Sequence, residues 1–346
     1  MDSVEEYLAD LQDHLEGLET AQEREAYMIA CIKEIDEVRN FPLLAEISEY
    51  IVAGESVAEH FSPSLKMSAL HWLIHQIGRA IEQTEDHEGE KRMRLYYHMY
   101  DYMWYLKWVL PTLPTSLPLT RDVIEQANQL MLEQYQELDF SLAMYDKTLM
   151  LEAMAMGDKV DAAKHYRAWQ EGAFERDAMS DCEACEVAEQ VNYLSFAGKH
   201  EKALQKAEPI LQGQLECAEV PHTIYGSVLK SLYALGRLDA VEDLLPTAIQ
   251  SIEEEANLLS NLTDIIEIAL RMGDELLAQE LMVAHEGEIL ALARDLTTMK
   301  YFIATSPLGE EYLERAREWA AYFDERNQNR YYSEYLASYL KDVEEF

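Results

Sequence analysis

The chain has 346 residues, 49% of them hydrophobic, enough to bury a substantial core in one long domain or two ordinary ones. Sixty-six acidic against 28 basic residues leave a net charge of −38, which argues against nucleic-acid phosphate or anionic lipid as the main partner. Four cysteines are too few for a disulfide scaffold, and 13 glycines with 9 prolines favour helix over sheet.

The opening "MDSVEEYLADLQDHLEGL" reads as an acidic amphipathic helix, not a basic-apolar-small leader, so a reducing cytoplasm is the expected location. Periodicity predicts helices over 3–37, 41–53, 65–83 and 89–110, and no convincing period-2 strand anywhere. Cys31, alone in "YMIACIKEI", is expected in the core. His71 and His75 in "HWLIH" share a helix face, but no glutamate follows the first as a zinc-peptidase helix requires, so packing or solvent is the reading. The acidic runs at 84–90 and 251–257 lack the alternating oxygen ligands and central glycine of a calcium loop and read as solvated.

The stretch "LYYHMYDYMWYLKW" at 95–108 places aromatic rings all round a helix. Most of them are expected to pack between helices. Tyr97, Tyr100, Trp104 and Trp108 are the candidates for a partner surface, since such rings offer large area at low entropy cost. The apolar continuation is broken by Lys107 and Pro111, so no membrane span is expected. "PTLPTSLP" at 111–118 then breaks the helical chain, because proline lacks an amide donor and excludes the residue before it from helix.

Downstream, "MAMGDKVDAAKHY", "SFAGKHEKALQKA", "YALGRLDAVEDLL" and "LRMGDELLAQELM" share a pattern. Gly157, Gly198, Gly236 and Gly273 each follow an apolar run, at spacings of 41, 38 and 37 residues. Five positions after each comes Ala162, Ala203, Val241 or Ala278. Glycine can close one helix in a tight turn, and a small side chain lets the next helix approach closely. This resembles the tetratricopeptide repeat over roughly residues 138–290, with somewhat longer periods than usual. The resemblance implies an all-α, right-handed solenoid of helical hairpins. The expected organisation is an N-terminal helical region at 1–110, the proline break at 111–118, a hairpin array at 119–290, and two capping helices at 291–346.

Three of the four cysteines fall in "DCEAC" and "CAEVPH". The pair is similar to one in a group of bacterial tetratricopeptide-like proteins, which implies a fold and no activity. Cys185 and His222 stand 13 and 14 residues before their hairpin glycines, near the starts of first helices in adjacent repeats. Packed neighbouring helices lie roughly 8–10 Å apart, a gap that a shared ion can bridge. Cys182, Cys185, Cys217 and His222 therefore read as C-x2-C-x31-C-x4-H, a donor set suited to tetrahedral, structural Zn2+. The bland alternative is small cysteines packing at helix starts. A thioredoxin-like role is disfavoured, because no strand precedes the pair.

No phosphate-cradling glycine loop and no G-x-S-x-G elbow is present. The expectation is a non-enzymatic protein-binding scaffold holding a partner with a basic surface, as an immunity protein or toxin inhibitor does. The alternative is a regulator whose groove takes a short peptide or signal. An enzyme, third, would need a deep pocket with convergent titratable groups.

Overall fold

The computed structural model describes residues 4–35, 40–54, 61–85, 88–172, 176–253, 260–292 and 294–344. Among these the chain is all α, with seventeen α-helices and no strand. No helix of the described residues is long and apolar enough to cross a membrane. Residues 3 and 36–37 of the first expected helix, and parts of the two acidic runs (86–87 and 254–257), lie outside the described residues.

The first half contains α1 (Val4–Glu16), α2 (Ala21–Glu34), α3 (Phe41–Ala53), α4 (Pro63–Gln83), α5 (Gly89–Val109) and α6 (Arg121–Glu137). The single helix expected over 3–37 is two. Thr20 caps α2 in a reciprocal box, its hydroxyl accepting from the Glu23 amide at 3.2 Å while the Glu23 carboxylate accepts from the Thr20 amide at 3.1 Å. That arrangement satisfies two orphan donors and starts a new helix where apolar spacing alone shows continuity. Ser62 opens α4, and its amide and hydroxyl both donate to Glu25 of α2, at 2.9 and 2.8 Å. The core of this half is apolar: Leu15, Met28, Ile47, Leu70, Met103 and Leu106 are fully buried. Cys31 packs half-buried against it.

The proline segment is a short 3-10 turn at Leu110–Thr115, with Leu110 and Leu113 buried. One arginine takes up three carbonyls in and just after this turn. Arg326, from near the C-terminus, donates to Pro114 O, Ser116 O and Leu119 O.

Then follow α7 (Ala143–Ala155), α8 (Lys159–Gly172), α9 (Glu183–Phe196), α10 (His200–Leu211), α11 (Tyr225–Ala234), α12 (Leu238–Glu253), α13 (Leu262–Arg271) and α14 (Glu275–Ala291). They pack in consecutive pairs, α7 on α8 through α13 on α14. Each pair turns at one of the four glycines, whose φ lies between 70° and 76°. The bonding at Gly198 is typical: its amide donates to Ser195 O at 2.9 Å and the Lys199 amide to Leu194 O at 2.8 Å. That is the left-handed helix stop in which two otherwise orphaned carbonyls are capped. Ala162, Ala203, Val241 and Ala278 are completely buried. First helices also pack on first helices, α9 on α11 and α11 on α13.

The C-terminal region has three helices where two were expected: α15 (Asp295–Thr305), α16 (Glu310–Asn327) and α17 (Tyr331–Glu344). The sequence of α15, "DLTTMKYFIAT", has three threonines and no glycine stop, so local propensity gives it little signal. Tertiary burial of Leu296, Met299, Tyr301 and Ile303 holds it instead.

Candidate functional site

The sulfur atoms of Cys182, Cys185 and Cys217 lie within 4.8 Å of one another, close enough to share a metal ion. Two chain segments bring them together. Cys182 is the N-cap of α9, its sulfur accepting from the Cys185 amide at 3.4 Å, and Cys185 sits in the first turn. Cys217 comes from the loop between α10 and α11, where its amide and carbonyl pair with Val220 at 3.2 and 3.3 Å. Its sulfur is 3.4 Å from that of Cys185. His222, expected as the fourth ligand, is not in this group. Its Nδ1 lies 2.5 Å from Ser251 Oγ, because a short 3-10 turn at His222–Ile224 faces the imidazole toward α12.

Burial raises the Cys182 thiol, but hydrogen bonds from the Cys185 amide and the neighbouring thiols outweigh it and bring the value below that of an ordinary cysteine. Cys185 goes the other way, raised by burial and by the two sulfurs beside it. Of the two thiols on α9, the exposed one at the helix N-terminus is thus the one inclined to ionise first.

Immediately before Cys182, Asp181 anchors the loop to the rest of the molecule. Lys107 of α5 donates to one carboxylate oxygen at 2.6 Å and Lys147 of α7 to the other at 2.7 Å. Lys107 also donates to Met179 O at 2.7 Å and stands 3.2 Å from the centre of the Trp104 ring. Lys147 is 3.5 Å from Glu186, which accepts from the indole of buried Trp169 at 3.1 Å. Burial favours a neutral Asp181, but the two lysines hold its carboxyl below the usual range. Sequence reading noted Lys107 only as a break in an apolar run, and missed Lys147 and the carboxylate that joins the two. The available signal was a lone lysine inside each of two apolar runs, "YMWYLKWVL" and "AMYDKTLML".

A groove of about 710 Å³ opens alongside. Successive first helices supply its wall: Met154 from α7, Asn192 from α9, Ser227 from α11, Asp264 from α13 and Lys300 from α15. Tyr331 and Tyr335 of α17 close one side. A hydrogen-bond ladder joins α9 to α11, with Ser227 Oγ donating to Asn192 Oδ1 at 2.8 Å and Ser195 Oγ to Ser227 O at 3.0 Å. At the base, Lys230 is 2.8 Å from Asp264 and 3.0 Å from Glu267, and the Tyr335 hydroxyl donates to Glu267 at 2.5 Å. Burial alone would lower the Lys230 ammonium, but Asp264 and Glu267 more than reverse this. Both carboxyls, for which burial works upward, are held below the carboxylate range by Lys230. Titratable groups do converge here, as the enzyme alternative required. Lys230, Asp264 and Glu267 hold one another charged, whereas burial raises the Glu189 carboxyl and lowers the His200 imidazole in the same groove.

On α5, Tyr97 (61% exposed), Tyr100 and Trp108 (56%) face outward. Trp104 is half-buried beneath Lys107 and packs edge-on to Trp108, their centroids 5.6 Å apart. His71 and His75 are exposed. Elsewhere, Asn128 of α6 donates to buried Glu152 of α7 at 2.6 Å. Glu152 Oε1 and Asn128 Oδ1 find no partner among the described residues.

No family model, curated protein or solved structure matches the chain.

Proposed function

We propose that this chain is a right-handed α-solenoid of tetratricopeptide-like hairpins that works as a non-enzymatic protein-binding scaffold. One observation carries the reading: the first helices of successive hairpins contribute in turn to a single groove, as α7, α9, α11, α13 and α15 do here. A stack of hairpins offers such a surface because each repeat presents the same helix to the same side. The groove mixes apolar and aromatic side chains with amide, hydroxyl and both signs of charge, so it suits an extended segment of a partner's backbone carrying both polar and apolar side chains. Outside the groove, the net charge of −38 selects a partner with a basic surface and speeds its approach. An inhibitor or immunity protein masking a cationic face is one use of such a surface.

The regulator reading, a groove for a short peptide or signal, shares the same site and differs in salt dependence. The test is selection from a random peptide library on the full chain, followed by affinity measurement for the enriched peptides. The scaffold reading expects binding that weakens with added salt and falls at least tenfold in an Asn192→Ala, Glu334→Lys variant. Enriched peptides that bind with salt-insensitive affinity favour the regulator. Peptides that bind the variant as well as the parent refute the groove.

A further inference from the structure

We infer that Cys182, Cys185 and Cys217 form a coordinatively open, three-thiolate site for a thiophilic d10 cation, with zinc and monovalent copper as the two ions its chemistry admits. The inference is independent of the partner-binding groove. It rests first on spacing. Metal–sulfur bonds of about 2.3 Å at a tetrahedral centre put the sulfurs about 3.8 Å apart. The three sulfurs lie within 4.8 Å, with Cys185 and Cys217 at 3.4 Å, so side-chain rotation alone brings all three onto one ion.

The second support is how firmly the donors are held. Cys182 follows Asp181, which two buried lysines grip at 2.6 and 2.7 Å. The Cys217 loop is closed by its two backbone bonds to Val220. Groups that fix the donors from behind are what a preformed metal site requires. The donor type settles the class of ion, since an all-thiolate set selects soft cations over calcium or magnesium.

The site is open because the fourth donor is missing from the cluster. Among the described residues, no histidine, aspartate or glutamate joins the three sulfurs, and neither ring nitrogen of His222 does. Cys182 is exposed at the mouth. A bound zinc would therefore complete its shell with a water or an external thiol, whereas copper(I) would be satisfied by three sulfurs. An ion held in this way ties α9 to the loop that leads into α11 while remaining exchangeable.

The test uses the reduced full-length chain under anaerobic conditions, titrated with Co2+, Zn2+ and Cu+ against a competing chelator. One ion per chain is expected, with a sulfur-to-cobalt charge-transfer band in the Co2+ form. Cys185→Ser and Cys217→Ser should each abolish binding, and Cys182→Ser should weaken it at least tenfold, with unchanged far-ultraviolet circular dichroism. His222→Ala and Cys31→Ser should bind as the parent does. Added imidazole should change the cobalt spectrum by entering the open position. Preferential retention of Zn2+ or of Cu+ against the chelator identifies the ion. Loss of binding in His222→Ala, or a cobalt spectrum indifferent to imidazole, would establish a closed four-ligand site and overturn the inference. Fewer than a few tenths of an ion per chain would overturn it as well.

Discussion

The helices before Glu137 and the hairpins after Ala143 solve the same packing problem by different means. In the first half, large apolar and aromatic residues such as Met28, Ile47, Leu70 and Tyr102 fill a thick core. In the hairpins, Ala162, Ala203 and Ala278 let helices meet closely, and glycine stops fix where each one ends. Close packing of thin hairpins leaves a lined groove between them; the thick core of the first half is filled by its own side chains. The two halves are joined by apolar contact, with Met144 and Met179 buried in the first half's core, and also through charge. Lys107 reaches from α5 to Asp181, and Arg326 reaches from α16 to the carbonyls of the proline turn.

The largest expected effect breaks that junction. Asp181→Ala leaves Lys107 and Lys147 buried without their shared carboxylate, at a cost of about 3–5 kcal/mol. Urea denaturation of parent and variant measures it. A cost under about 1 kcal/mol, within the range of an exposed ion pair, would show that the halves are held by apolar contact alone.

Next in size is Glu152, on the hairpin side of the boundary. Burial raises its carboxyl from 4.5 to about 8, with Asn128 pulling weakly the other way. A folded value above the unfolded one means that the contribution is intact below about pH 4.5 and is lost as pH rises through about 8. Glu152→Gln should therefore leave stability at pH 5 nearly unchanged and raise it at pH 9 by an amount on the order of a few kcal/mol. Thermal melts at the two pH values decide it, and equal shifts at both would contradict the buried neutral carboxyl.

Smaller effects compare glycines within the hairpins. Gly198→Ala places a side chain at φ 71° in open space, for about 1–2 kcal/mol. Gly157→Ala adds a collision, since its new Cβ would stand 2.3 Å from the Tyr331 ring of α17. It should cost more than Gly198→Ala in the same denaturation assay. Equal costs would mean that α17 does not pack against the first hairpin turn.

The smallest effect belongs to the first half's surface. Tyr97→Ala should change stability by no more than about 0.5 kcal/mol, because its ring is largely exposed. Trp108→Ala should change it by no more than about 1.5 kcal/mol, the worth of its edge-on contact with Trp104. A larger loss would assign these rings to the core.

What could be read in the sequence follows the same division. Gly157, Gly198, Gly236 and Gly273 were legible because left-handed backbone is written in one residue type, and the cysteine clustering was legible because the hairpin period links Cys185 to the next repeat. The break between α1 and α2 was legible but missed: Thr20 and Glu23 carry the capping-box spacing, and the apolar pattern running through them hid it. Gln328 stops α16 in the left-handed region at φ 58° without being glycine, which no composition rule reveals. At the thiol centre, residue type and register brought the three cysteines together, whereas the orientation of His222 depends on Ser251, 29 residues away. The groove's Lys230–Asp264–Glu267 base joins two hairpins, and nothing local in either stretch marks it.

The central claim, that aligned first helices form the partner's seat, is tested most directly by hydrogen–deuterium exchange of the full chain with and without a library-selected peptide. The account predicts protection concentrated in α9, α11 and α13, around Asn192, Ser227 and Asp264. Protection confined to the outer helices α10, α12 and α14, or to the exposed aromatic face of α5, would contradict it.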